Sequence, residues 1–167
     1  MLNDKTTKTL LSVMTKFKLV ALGGTFDIVH KGHLELLRNG FLISSKVIIG
    51  LTSDEFAQKK GKNPSNDYVT RFHSLEDAIK KNFPNSNYEI SKLDNDFGPA
   101  VLENDVEALV VSEETAFKGD ELNRLRKARN SSPVEIIVVP MALAKDGMRI
   151  STTRIKKSEI DSDGNIL

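Results

Sequence analysis

Residues 17–34 read Phe17-Lys18-Leu19-Val20-Ala21-Leu22-Gly23-Gly24-Thr25-Phe26-Asp27-Ile28-Val29-His30-Lys31-Gly32-His33-Leu34. A largely apolar run, Phe17–Leu22, stops at two glycines, and a different spacing takes over. Leu34, Leu37 and Phe41 fall at i, i+3 and i+7, which places them on one face of a helix. A strand, a glycine turn and an amphipathic helix together form the opening of a βαβ unit.

Apolar runs of the same kind recur at Val47–Leu51, Tyr88–Ile90, Ala108–Val111 and Val134–Val139. Most are near-continuous rather than alternating, as expected for strands covered on both faces. Helical spacing fills the intervals. Tyr68, Phe72, Leu75, Ile79 and Phe83 form one stripe, with Asp67 placed to cap it and Pro84 to end it. Leu122, Leu125 and Ala128 form another, behind Asp120 and Glu121 and ahead of Arg126, Lys127 and Arg129, an order of charge that suits the helix dipole. The alternation predicts a single doubly wound, Rossmann-like α/β domain over residues 17–167, with a five-stranded parallel sheet. Residues 1–16 read as an N-terminal extension. Their apolar patch Leu10–Met14 is too short for a signal-peptide core and reads as a frayed terminus or one weak helix. In such folds ligands bind at the carboxyl ends of the strands, near the switch in strand order.

Composition narrows the function. The 167 residues hold 24 Lys and Arg against 23 Asp and Glu, a net charge of +1, with two tyrosines and no tryptophan. Nucleic-acid binding is not expected from that balance, which offers neither a basic surplus nor a set of stacking platforms. No apolar run approaches the length of a membrane span. Cysteine is absent, which removes disulfides, thiolate metal sites and cysteine nucleophiles and permits a reducing, cytoplasmic setting.

Two loops carry chemistry. In the first, the glycines allow close backbone approach to a ligand, and the helix beginning near Gly32 offers free amides and a positive dipole end to phosphate. His30 and His33 are three apart and point the same way if helical geometry begins there. Gly32 removes a side chain that would crowd them. A zinc site using His30, His33 and Asp27, or two ordinary surface histidines, are the competing readings. In the last loop, Ser151 is a candidate N-cap for a short helix through Lys157. Ser151, Thr152, Thr153 and Arg154 together offer hydroxyls and charge to phosphate oxygens; capping alone is the competing reading. Neither a G-x-G-x-x-G turn nor a P-loop is present.

The stretch from Gly23 to His33 resembles the HxGH motif of the nucleotidyltransferase superfamily, and Ile150-Ser151-Thr152-Thr153 resembles its second motif, which grips nucleotide phosphates. The order of further features, Lys59-Lys60-Gly61-Lys62, Tyr68, Arg71, Ser112-Glu113-Glu114-Thr115 and Asp146-Gly147, is similar to that of the archaeal and eukaryotic type of phosphopantetheine adenylyltransferase. The likeness runs from about Phe17 to Gly164. Bacterial enzymes of that activity carry an arginine-bearing stretch after the fourth strand; Ser112–Thr115 stands there instead, so no arginine contact is carried over.

The resemblance implies ATP and 4′-phosphopantetheine as substrates and dephospho-CoA and pyrophosphate as products, in coenzyme A synthesis. Its nucleophile is an already anionic phosphate oxygen, so alignment and charge stabilisation replace a general base. On that basis His33 is expected at the α-phosphate and His30 at the triphosphate. Thr25 is expected between the nucleophilic phosphate and the α-phosphate, with Phe26 supplying backbone. Ile150, Ser151, Thr152, Thr153 and Arg154 are expected at the nucleotide, the last four at its β- and γ-phosphates. Lys59 or Lys60 is expected at the pantetheine phosphate, against the reading that this run is solvated surface. Asp94–Gly98 is expected along the pantetheine arm and Asp27 in a structural role. Mg2+ is expected on the triphosphate, held mainly by phosphate and water, with no protein metal site. Another phosphate acceptor, as in cytidylyltransferases or FAD synthetases, and a non-catalytic nucleotide sensor are the alternatives.

Overall fold

The computed structural model describes residues 15–167. Its five strands are β1 (Phe17–Gly24), β2 (Ser44–Thr52), β3 (Tyr88–Leu93), β4 (Ala108–Ser112) and β5 (Glu135–Val139). They form one sheet in the order β3-β2-β1-β4-β5 with every pairing parallel, so the doubly wound expectation holds. The helices are α1 (Lys31–Ile43), α2 (Asp54–Lys59), α3 (Tyr68–Asn82), α4 (Pro99–Leu102), α5 (Lys118–Ala128) and α6 (Thr152–Lys156), with a 3-10 turn at Glu113–Thr115.

Side-chain alternation explains the unbroken apolar runs. Val20 and Leu22 of β1, Val47, Ile49 and Leu51 of β2 and Val110 of β4 pack with Leu37 of α1 and with Leu75 and Ile79 of α3. Their neighbours Ala21, Ile48, Leu109 and Val111 point the other way, toward Ala100 and Leu122 of α4 and α5. The two edge strands are less covered; Val138 of β5 is exposed.

Asp67 caps α3 through the Thr70 amide, and Ser151 caps α6 through that of Arg154, both as the spacing predicts. Leu122 is buried, but Leu125 on the same predicted stripe reaches solvent. Three short elements were not anticipated: α2, α4 and the 3-10 turn. The Leu10–Met14 patch lies outside the described residues. Lys16, assigned by sequence to the extension, donates its amide to the Ile43 carbonyl at 2.9 Å. Among the described residues no helix is long and apolar enough to cross a membrane.

The sheet itself opens the site. β1 pairs with β2 from Phe17↔Ser44 through Gly24↔Leu51, but with β4 only at Val20↔Ala108 and Ala21↔Leu109. Past Ala21 the two central strands part, and their carboxyl ends leave a crevice at the point where strand order reverses. Gly23, Gly24 and Thr25 wall it on one side and Val110–Ser112 on the other.

Candidate active site

His30 is the N-cap of α1. Its Nδ1 accepts the Gly32 amide at 3.1 Å, and the Nδ1 of His33 accepts the His30 amide at 3.2 Å. A neutral imidazole whose Nδ1 accepts carries its proton on Nε2, so these hydrogen bonds assign both rings the Nε2–H tautomer. The rings stack with centroids 3.8 Å apart, and Phe26 packs against His33 at 4.8 Å. Burial, reinforced by the Arg149 charge, pushes the His30 pKa down to about 4. Burial first and His30 second push that of His33 down to about 3, with a hydrogen bond to the Ile28 backbone acting the opposite way. The pair therefore meets a ligand as neutral donors. Gly32 has a sharper role than crowding in general: a Cβ there would sit 2.9 Å from Cε1 of His30.

Thr25 and Phe26 turn the chain between β1 and α1. Phe26 is buried with φ of 48°, a left-handed conformation that a bulky side chain rarely adopts. The Thr25 hydroxyl is buried without a hydrogen-bond partner, and an orphaned polar atom in a cleft wall is costly unless a ligand completes it. The turn is held from behind by Arg71. This fully buried guanidinium donates to the Thr25 carbonyl at 2.8 Å, to the Asn66 carbonyl at 3.0 Å and to Asp54 Oδ1 at 2.8 Å.

The two ends of the chain meet here. A cleft of about 450 Å³ is walled by Gly23–Asp27 and His33 from the first loop and by Thr152, Thr153 and Lys156 from α6. A smaller cavity of about 180 Å³ adjoins it, sharing His33 and Thr152 and adding His30, Gly32, Pro140–Ala142 and Arg149–Ser151. The side chain of Ile150 belongs to a small cluster with Ala144 and Ile160, so it anchors the loop as well as lining the cavity. Asp27 is buried and accepts the Ser65 amide at 2.8 Å, the Asn66 amide at 3.0 Å and the Lys156 ammonium at 2.6 Å. Burial alone would raise its pKa, but Lys156 and those amides outweigh it and hold the carboxyl low. Its structural role is as expected, and it does not join the imidazoles as a zinc ligand. Among the described residues no three or more His, Asp or Glu side chains gather as a metal site.

Two expected residues fall elsewhere. Arg154 does not reach the cleft wall. Its guanidinium is taken by Asp146 and Glu159 and by the Arg149 carbonyl at 3.0 Å, so it staples the 146–149 loop to α6. Lys59 is exposed and lines no part of the site, whereas Lys60 does, paired with Asp96 at 2.7 Å. Gly61, at φ of 73°, turns the chain after Lys60, and Lys62 rejoins the wall. Asp96 and Phe97, within the predicted 94–98 stretch, line the same crevice.

Sequence reasoning missed Lys156, Thr115, Lys118 and the bracing role of Arg71. A signal existed for Lys156, which follows Thr152 by four residues and so shares its helix face. None existed for Lys118, which the turn at 113–115 carries to the crevice.

Residues 21–158 match the family model described as Cytidylyltransferase-like. The chain is 41% identical over 152 residues to a protein of Methanothermobacter thermautotrophicus named phosphopantetheine adenylyltransferase, covering 91% of each. It is 40% identical over 158 residues to one of the same name from Pyrococcus horikoshii, covering 91% of this chain and 96% of that one. A solved structure from Archaeoglobus fulgidus, described as a protein with unknown function, superposes with a TM-score of 0.65 at 30% identity, over 74% of this chain and 89% of that one.

Proposed function

The chain belongs to the cytidylyltransferase-like family, and from that premise we propose that it transfers AMP from ATP to 4′-phosphopantetheine, releasing pyrophosphate and forming dephospho-CoA. Relatives at 40–41% identity that share nine-tenths of its length carry the name of that activity. One structural observation carries the reading to this chain: His33 and Thr152, 119 residues apart, wall a single cleft at the switch point of the sheet.

In this reading the acceptor's phosphate oxygen attacks the α-phosphorus. The new P–O bond forms as the bond to the β-phosphate oxygen breaks, and pyrophosphate leaves. The nucleophile is already anionic, so no residue takes a proton from it. The Nε2–H groups of His33 and His30 donate to the α-phosphate and the triphosphate. The orphaned Thr25 hydroxyl supplies a donor between nucleophile and α-phosphate. Preorganised donors of this kind lower the barrier because they need no reorientation as charge develops. Thr152, Thr153 and the Ser151 end of α6 face the β- and γ-phosphates, with Lys156 in place of Arg154. The adjoining cavity, with Pro140, Met141 and Ala142 along one wall and Glu114 and Arg149 for polar contacts, suits the purine.

Mg2+ fits this site as an ion riding on the triphosphate and its waters, because the strongest nearby carboxylate, Asp27, is already committed to Lys156 and two amides. Bound there it offsets polyphosphate charge. A cytoplasmic location agrees with a cysteine-free chain acting on coenzyme A intermediates.

The test is mass detection of dephospho-CoA after mixing the purified protein with ATP, magnesium and 4′-phosphopantetheine. Pyrophosphate release only with glycerol phosphate, FMN or nicotinamide mononucleotide would reassign the acceptor. Tight ATP binding without release from any acceptor would make the protein a sensor.

A further inference from the structure

Lys60, Lys62 and Lys118 come from three different segments, the end of α2, the following loop and the first residue of α5, yet all line the crevice below Thr25. A single carboxylate sits among them. Asp96 Oδ1 lies 2.7 Å from Nζ of Lys60 and 3.9 Å from Nζ of Lys118. Glu114 also attracts Lys62, but its own charge is matched by Arg149.

The cluster is electrostatically unbalanced. Desolvation and then the Lys60 charge lower the proton affinity of Lys118, and the same two causes lower that of Lys62; Asp96 opposes them at Lys118, and Glu114 and then Asp96 at Lys62, only in part. Like charges held together in a partly desolvated cavity are unfavourable unless an anion completes them. Three ammonium groups against one carboxylate leave a surplus of two positive charges, the complement of a phosphate monoester dianion.

We infer that Lys118 is a binding residue for the acceptor's phosphate, closing the cradle begun by Lys60 and Lys62, and that Asp96 holds these lysines in place and trims their charge to a monoester. This deepens the proposed function and rests on it for the identity of the acceptor. The crevice reaches from Thr52 and Leu93 across to the end of β4 and shares Thr25, Lys62 and Thr115 with the cleft that His33 and α6 wall, so the two anions meet at the orphaned hydroxyl. Asp96 also sets selectivity by charge. With it present, a pyrophosphate or triphosphate group meets one negative charge too many in the cradle.

Calorimetric titration of 4′-phosphopantetheine and, separately, of ATP into wild type, Lys118→Gln, Lys118→Arg and Asp96→Asn tests this. Lys118→Gln is expected to weaken 4′-phosphopantetheine binding about tenfold or more while ATP binding moves less than about twofold. Lys118→Arg, which keeps the charge, restores most of the loss, and Asp96→Asn tightens binding of inorganic pyrophosphate, which a purely structural role would not produce. Unchanged 4′-phosphopantetheine affinity in Lys118→Gln overturns the assignment, as does an equal loss for ATP. If the wild type makes no dephospho-CoA, the functional reading fails by itself. Glycerol 3-phosphate titrated into the same proteins then decides the cluster: weaker binding in Lys118→Gln supports it, and equal or absent binding overturns it.

Discussion

The ammonium of Lys156 lies 2.6 Å from the buried carboxylate of Asp27. One residue belongs to the last helix and the other to the first loop, so this ion pair joins the two motifs that build the cleft. Asp27 also gathers the Ser65 and Asn66 amides, and the segment leading into α3 is drawn to the same point.

Lys156→Met should therefore loosen the cleft and change acid stability in a defined direction. The Asp27 pKa is depressed in the folded state, so its contribution is present above the unfolded carboxylate value and lost as pH falls through the folded one. Without Lys156 two of the influences that offset burial are gone, so the folded pKa rises and acid unfolding moves to higher pH. At neutral pH, where three hydrogen bonds from Ser65 and Asn66 remain, the loss should be about 1 kcal/mol. Circular dichroism melts across pH 3–7, a range of about four units spanning the ordinary carboxylate value, check both effects.

His33→Ala should lower turnover by roughly 10²–10³, about 2.7–4 kcal/mol for one preorganised donor, while the melting curve shows a folded protein. Steady-state kinetics reads the outcome, and near wild-type turnover would remove His33 from the transition state.

The two histidines also predict a stability profile. Their folded pKa values are depressed to about 4 and about 3. Below the ordinary value near 6.5 the unfolded chain binds protons that the native rings refuse. Stability is fully present above that value and falls as pH drops toward the folded values, where the loss levels off. His33→Gln, which does not titrate, should flatten this slope between about pH 6.5 and about 3 in urea titrations.

Thr25→Val separates folding from chemistry. It keeps the shape and deletes a buried hydroxyl that has no partner. Removing an unsatisfied polar atom is neutral or stabilising for the fold, by up to about 1–3 kcal/mol, whereas AMP transfer should slow. A variant that melts no lower than wild type yet turns over more slowly is the expected result.

The central strands and the two principal motifs were legible because their signals are local. Two-faced burial writes itself as unbroken runs such as Val47–Leu51, and Ser151 announces a cap wherever the chain goes next. α2 also had a signal, Ser53 ahead of Asp54 and Glu55, but six residues give too few turns for a hydrophobic period to emerge. Arg154 misled for a different reason. Its type suits phosphate, yet Asp146 and Glu159 compete for it, and nothing in residue type says which partner wins. Lys118 and Arg71 owe their roles to the crossing of the chain over the sheet, which no window of sequence contains.

Arg71 gives the sharpest case of that kind. A fully buried guanidinium bonds carbonyls of Thr25 and Asn66 and a carboxylate oxygen of Asp54, using a planar fork that lysine lacks. Arg71→Lys keeps the charge but serves these three directions poorly, so at least one buried carbonyl goes unpaired at a cost of about 1–3 kcal/mol. The turn bearing Thr25 then loses its brace while His33, held by the His30 amide, keeps its geometry. Turnover should fall more than ATP affinity, because in the proposed mode ATP binds chiefly through α1 and α6, and the Thr25→Val change should cost less in the Arg71→Lys background than alone. Single-turnover kinetics on the double-mutant cycle reads that coupling, and additive losses would mean that Arg71 acts on the fold only.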